Sequence, residues 1–214
     1  MNKFIKEVLL CISAGLPYIY LATIWNIIPD TVAVHFDLQG QPNDWADKSL
    51  LFIPASLGVV VYLVMLVIPY LDQNKRIEEM GRKYFSLRFI VGLFISLISV
   101  YLLSLSNQGE VKDPNILIMI LGGMIALLGN YFQTLRPNSF IGIRTPWTLQ
   151  SEMVWKKTHQ IGGLVWMAGG CLVLLFSFLM AFNWLLIFVG VVLIVIAMIP
   201  ALYSYNESKK NRSV

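Results

Sequence analysis

Apolar positions in this chain do not break every ten residues or so, as they do around a soluble core; they run on in long blocks. Six blocks are long enough to cross roughly 30 Å of hydrocarbon: Val8–Ile28, Leu50–Leu71, Phe89–Ser106, Ile116–Leu135, Ile161–Phe182 and Trp184–Tyr203. Each predicts a transmembrane helix, because a helix satisfies its own backbone where no water can. Only Asn183 separates the last two, which predicts a tight helical hairpin. Lys3 and Lys6 precede the first block as in a signal peptide. That block of about 21 residues exceeds a signal core, and no small-x-small cleavage site follows, so it reads as a retained span.

Composition agrees. The chain is 57% hydrophobic and 13% charged over 214 residues, against about 25% charged in soluble domains. The expected fold is an all-α integral membrane protein of six transmembrane helices, with a short structured external loop and an interfacial cytoplasmic helix. Four regions follow along the chain: 1–71, 72–115, 116–205 and a basic tail, 206–214. The net charge of +4 and pI near 9.1 raise nucleic acid as a partner, but the placement of the charges accounts for them. Fourteen of the sixteen basic residues fall on one side of a six-span topology: Lys3, Lys6, Lys75, Arg76, Arg82, Lys83, Arg88, Arg136, Arg144, Lys156, Lys157, Lys209, Lys210 and Arg212. Only Lys48 and Lys112 fall on the other. The positive-inside rule then puts both termini in the cytoplasm. Cys11 and Cys171 sit at different depths in apolar runs and read as small packing residues, not a disulfide.

The external segment 29–49, "PDTVAVHFDLQGQPNDWADKS", alternates Val32, Val34 and Phe36 with Ala33, His35 and Asp37, predicting a short strand. "LQGQPND" reads as a turn, with Gly40 free to take positive φ and Pro42 set for a bend. Asp30, Asp37, Asp44 and Asp47 outnumber Lys48, so a cationic ligand would meet a negative field. The plainer reading is that acidic residues are what topology leaves outside, with Trp45 an interfacial anchor. His35 and Asp37 lack a third ligand at metal spacing.

The cytoplasmic segment "RPNSFIGIRTPWT", Arg136–Thr148, holds the other candidate chemistry. Pro137 ends the preceding helix, Gly142 admits close backbone approach, and Thr145-Pro146 is an N-cap followed by proline at the first helical position. The next stretch places Trp147, Ser151, Val154 and Thr158 on one stripe, with Glu152 four residues before Lys156. It predicts an amphipathic interfacial helix with Trp147 and Trp155 at headgroup depth. Two readings stand. Arg136, Arg144, Lys156 and Lys157 are topology anchors on lipid phosphate, or Arg136, Arg144, Asn138 and Thr145 converge on an acidic partner. His159 has no nucleophile beside it, the segment is not a Walker loop, and no cofactor or catalytic motif is present.

Ionisable residues are missing from the middle of every block, which argues against an ion-coupled transporter. Small residues mark packing seams instead. Gly122, Ala126 and Asn130 step along the fourth span, and Gly162 with Gly169 and Gly163 with Gly170 along the fifth, predicting close contact between the two.

"RPNSFIGIRTPWTLQSEMVWKKTHQIGG" resembles the signature of the SdpI family, six-span bacterial membrane proteins that confer immunity to a secreted killing peptide. "IPDTVAVHFDLQGQPNDWADKS" resembles the DUF1648 region that precedes it in that family. The resemblance implies a non-enzymatic protein whose external loop (His35, Asp37, Asp44, Trp45, Asp47) meets a secreted antimicrobial peptide. It further implies a cytoplasmic loop (Arg136, Asn138, Arg144, Thr145, Trp147, Trp155, Lys157, His159) that binds a winged-helix repressor. The rival to both is a small exporter of an amphiphilic peptide.

Overall fold

A computed structural model describes residues 2–37, 40–72, 75–138 and 140–212. Leu38 and Gln39 of the expected turn, and Ser139 of the inner segment, lie outside them. Among the described residues six helices are long and apolar enough to cross a membrane, so the chain is a multi-pass membrane protein. In order the elements are α1 (Lys3–Ile24), β1 (Thr31–Phe36), β2 (Pro42–Asp47), α2 (Phe52–Leu71), α3 (Arg82–Gln108), α4 (Asn115–Phe132), α5 (Pro146–Gln150), α6 (Glu152–Phe176) and α7 (Phe182–Arg212).

Several helices overrun their apolar blocks, because intrahelical hydrogen bonds form in water as well as in lipid. α1 begins at Lys3, where the Asn2 side chain accepts the Phe4 N–H. α3 begins at Arg82, so Arg88 lies inside a helix and is buried. The apolar blocks had left it among the loop charges. α6 begins at Glu152 and is therefore complete by Phe176, which moves the hairpin turn to residues 177–181 in place of Asn183. That turn holds exposed Phe178 and Leu179; a turn of apolar residues leaves no mark in a hydropathy pattern.

The chain forms two compact units. The first comprises residues 1–66 and 88–120. Its seam is set by Gly58, where an added Cβ would lie 2.8 Å from Ser96 Oγ and 3.0 Å from the Ala14 carbonyl oxygen, so α1 and α2 meet at backbone distance and α3 reaches the seam through the Ser96 side chain. Leu21, Ile24, Ile28, Val32, Leu51, Ala55 and Leu103 form one buried cluster that roots the hairpin in these helices. Of the stretch read as a turn, Gly40 and Gln41 connect the strands and Pro42–Asp44 begin β2, which pairs antiparallel with β1 through Val32↔Ala46 and Ala33↔Trp45. The alternation expected on β1 also fails, since Val32 and Ala33 are both buried and the register shifts after Ala33. A bulge offsets the pleat there, turning Val34 outward. Gly40 has φ +78°, and a Cβ at this position would strike Val111, whose N–H donates to the Gly40 carbonyl at 3.0 Å. Only glycine suits both demands.

The second unit comprises residues 67–87 and 121–214. Here the glycine steps resolve into two faces of α6. Gly163 and Gly170 abut Gly129, Ala126 and Gly122 of α4, while Gly162 and Gly169 abut Pro200, Ile196 and Val192 of α7. The close α4–α6 contact expected from the small residues is present. Cys11 and Cys171, expected to pack, are both exposed; a thiol is apolar enough to face acyl chains.

Candidate functional site

The loop after α4 is organised by one side chain. The Asn138 amide donates to the carbonyls of Arg136 (2.9 Å) and Ile141 (3.0 Å), and its Oδ1 accepts the N–H groups of Phe140 (2.9 Å) and Ile141 (2.7 Å). Asparagine supplies both polarities in one planar group, so it holds both arms of a turn. Gly142 follows at φ +121°, where a Cβ would collide with His159 and Trp155. The Ile143 N–H then donates to His159 Nε2 at 2.9 Å, and His159 Nδ1 faces the Trp155 carbonyl at 2.9 Å. These partners assign the neutral tautomer with the proton on Nδ1. Trp155 stacks on the imidazole at 4.1 Å and donates its indole N–H to the Leu135 carbonyl.

Trp155 and His159 are each 1% exposed. Trp155, expected at headgroup depth, is therefore an internal post, because its indole N–H has a carbonyl to meet inside the fold. The helix expected over the polar segment is present but broken. α5 is closed by a reciprocal Thr145–Thr148 cap, the backbone turns extended at Ser151, and Ser151 caps α6. Thr145 also reaches Ser204 Oγ at 3.0 Å. Asn138 and Thr145 do not converge with the arginines on a common point; their polar atoms are used inside the fold.

The charged residues stand around this core. Arg136 pairs with Glu79 at 3.5 Å, and Arg76 pairs with Glu152 at 3.2 Å while donating to the Pro137 carbonyl. With Pro137 these four line a polar cleft of about 310 Å³. Glu152 thus turns to Arg76, not to Lys156. Arg144 is exposed. Lys157 is bonded to the buried carboxylate of Glu207, and Trp147 packs on Tyr205 with ring centres 5.0 Å apart. α7 is a wall of the site and runs on to Arg212, through most of the segment read as a basic tail; Glu207, the one carboxylate of that segment, is the available signal. Glu79 and Arg76, both far away in sequence, left no such signal.

In the first unit, the external-loop candidates lie on the hairpin. Trp45 is 55% exposed, and His35 shares a hydrogen bond with the Asn43 side chain. The carboxylates shape the backbone: Asp37 accepts the Gln41 N–H, Asp44 the Trp45 N–H and Asp47 the Ser49 N–H. Hydrogen bonds from the Ser49 hydroxyl and N–H favour the ionised form and lower the Asp47 pKa from its ordinary 3.8.

Comparison with known proteins bears on both places. Residues 134–204 match the model of the SdpI/YfhL protein family, and residues 12–59 match a domain of unknown function, DUF1648. Over 208 residues the chain is 27% identical to "Immunity protein SdpI" of Bacillus subtilis (strain 168), covering 96% of this chain and 97% of that one. The resemblance drawn from the two motifs is thus shown. No solved structure matches.

Proposed function

Starting from a chain that carries the SdpI/YfhL and DUF1648 regions in series, we propose that it protects its host membrane against a secreted killing peptide without catalysing a reaction. The observation that carries this is the end-to-end similarity to an immunity protein, with both regions present. In this reading both termini and the loop at 136–145 face the cytoplasm, as the fourteen basic residues on that side favour, and the hairpin faces the peptide.

The test is membrane potential, followed with a voltage-sensitive dye in a sensitive bacterium under peptide challenge. Cells making the chain hold their potential, and cells without it depolarise. Equal depolarisation at matched membrane levels overturns the immunity reading and favours export of an amphiphilic peptide, which efflux from loaded vesicles would then have to display.

A second task is proposed for the inner loop: docking of a cytoplasmic winged-helix repressor once the peptide is bound outside. The exposed Arg144 and the solvent-facing pairs Arg136–Glu79 and Arg76–Glu152 support it. Exposed pairs are worth only about 0–1 kcal/mol, so either arginine exchanges its carboxylate for one on a partner at small cost. A repressor that binds equally with and without peptide would overturn the coupling.

A further inference from the structure

The hairpin roofs an apolar groove of about 390 Å³ in the first unit. Val34 and Phe36 of β1 form its upper side, Pro54 and Leu57 of α2 one wall, and Leu102 and Leu105 of α3 the other. Among the described residues, the one polar side chain lining it is Ser106, whose hydroxyl donates to the Ala33 carbonyl at 3.2 Å. The walls therefore offer dispersion and apolar burial, and the volume lies within the ~300–1,000 Å³ of ligand pockets.

The charge on the hairpin that roofs the groove, and on the loop tied to it, selects its occupant. The hairpin and its flanks carry Asp30, Asp37, Asp44 and Asp47, and the α3–α4 loop, tied to Gly40 through Val111, adds Glu110 and Asp113. Against these six carboxylates stand Lys48 and Lys112. Lys48 is held by Asp30 at 2.8 Å, and Lys112 lies 3.9 Å from Glu110. An acyl chain would fill the groove, but the headgroup of an anionic lipid above it would meet a negative field. A helix with one apolar face and a cationic opposite face satisfies both: anchors spaced at i, i+3 or i+4 enter the groove, and its lysines or arginines face the aspartates.

We infer that this groove is the docking site for the apolar face of a cationic amphipathic peptide, with the hairpin carboxylates as its charge partners. The inference rests on the immunity reading for its biological sense, while the binding itself is testable apart from it.

The full-length chain carrying Cys11→Ala and Cys171→Ala is labelled with bimane at Leu57→Cys and placed in phosphatidylcholine nanodiscs. The probe is an 18-residue synthetic helix of leucine and lysine, with a leucine–serine version as the uncharged control. Expected is a saturable blue shift at Leu57. It weakens at least tenfold in Asp37→Asn/Asp44→Asn/Asp47→Asn and in Val34→Trp, which fills the groove from an exposed strand position. A reference label at Leu179→Cys stays unchanged. No saturable shift, an equal response to the uncharged helix, or an equal response at Leu179 each overturns the inference; the last two assign the signal to apolar filling or to bilayer partition. Helicity and elution volume of each variant are matched to the parent. In cells, protection that survives Val34→Trp alongside a missing shift removes the groove and leaves immunity standing. A saturable shift in a chain that does not protect does the reverse.

Discussion

The backbone N–H of Ile143 is received by the imidazole of His159, 2.9 Å away across sixteen residues of sequence. That bond, with the Asn138 turn, is what converts a polar loop into a defined surface. The ring acts as acceptor at Nε2 and donor at Nδ1, which suits only its neutral form.

Replacing His159 with alanine orphans the Ile143 N–H and removes the plate beneath Trp155. The expected loss is about 1–3 kcal/mol for the unsatisfied polar group, with a further loss for the cavity. His159→Phe keeps an aromatic plate beneath Trp155 but neither nitrogen, so it leaves no cavity and does not restore the bond. Amide exchange at Ile143 separates the two: it accelerates in both variants, while thermal stability in detergent falls further in the alanine variant.

A glycine of α6 and one of α7 predict opposite outcomes for the same substitution. A Cβ at Gly163 would lie 2.7 Å from the Gly129 carbonyl oxygen, whereas one at Gly190 meets nothing within 4 Å. Gly163→Ala therefore costs about 1–3 kcal/mol by overpacking the α4–α6 seam. Gly190→Ala is neutral or stabilising, since alanine is the better helix former. Unfolding midpoints of the two variants side by side check this.

Arg88 binds Glu7 in a two-pronged pair at 2.8 and 3.0 Å, and Tyr62 donates to the same carboxylate at 3.2 Å. The Arg88 side chain is 9% exposed and that of Glu7 34%. Removing Arg88 strands the Glu7 carboxylate, which is a third exposed, so Arg88→Ala is expected to cost less than the ~3–5 kcal/mol of a fully buried pair. The double variant Glu7→Gln/Arg88→Met loses less than Arg88→Ala, because no lone charge is left. A double-mutant cycle on thermal stability reports the coupling.

Asp47 supplies the pH dependence of the hairpin's exit. Its pKa is lowered from 3.8 in the folded chain, so its contribution is present above 3.8 and is lost as pH falls through the depressed value. Exchange at the Ser49 amide should stay protected from neutral pH down to that region and open below it. Asp47→Asn keeps the cap and loses the pH dependence, and Asp47→Ala exposes the amide throughout.

Much of the architecture was legible in the chain. Six apolar blocks mark six spans because hydrocarbon tolerates few alternatives, and Thr145-Pro146 marks a helix start because hydroxyl and ring each suit one position there. Gly163 and Gly170 announce a close helix neighbour for the same reason: only a missing Cβ lets backbones touch. What escaped was placed by partners. Phe178 and Leu179 look like span and form a turn. Arg88 looks like loop and is buried on a helix, where Glu7 receives it. Trp155 looks like an interfacial anchor and is buried on His159.

By itself, then, the sequence determined that this protein spans a membrane six times, that one face is basic and the other acidic, and that two loops are structured. These follow from hydropathy, charge and local backbone preference, which act within a few residues. Only the tertiary structure decided that His159 and Asn138 build the inner loop while Arg136 and Arg144 face outward, that α7 walls it, and that the hairpin roofs a groove. Those depend on which side chains from distant segments meet, and hydrogen bonds across 16 or 73 residues leave no periodic trace in a chain.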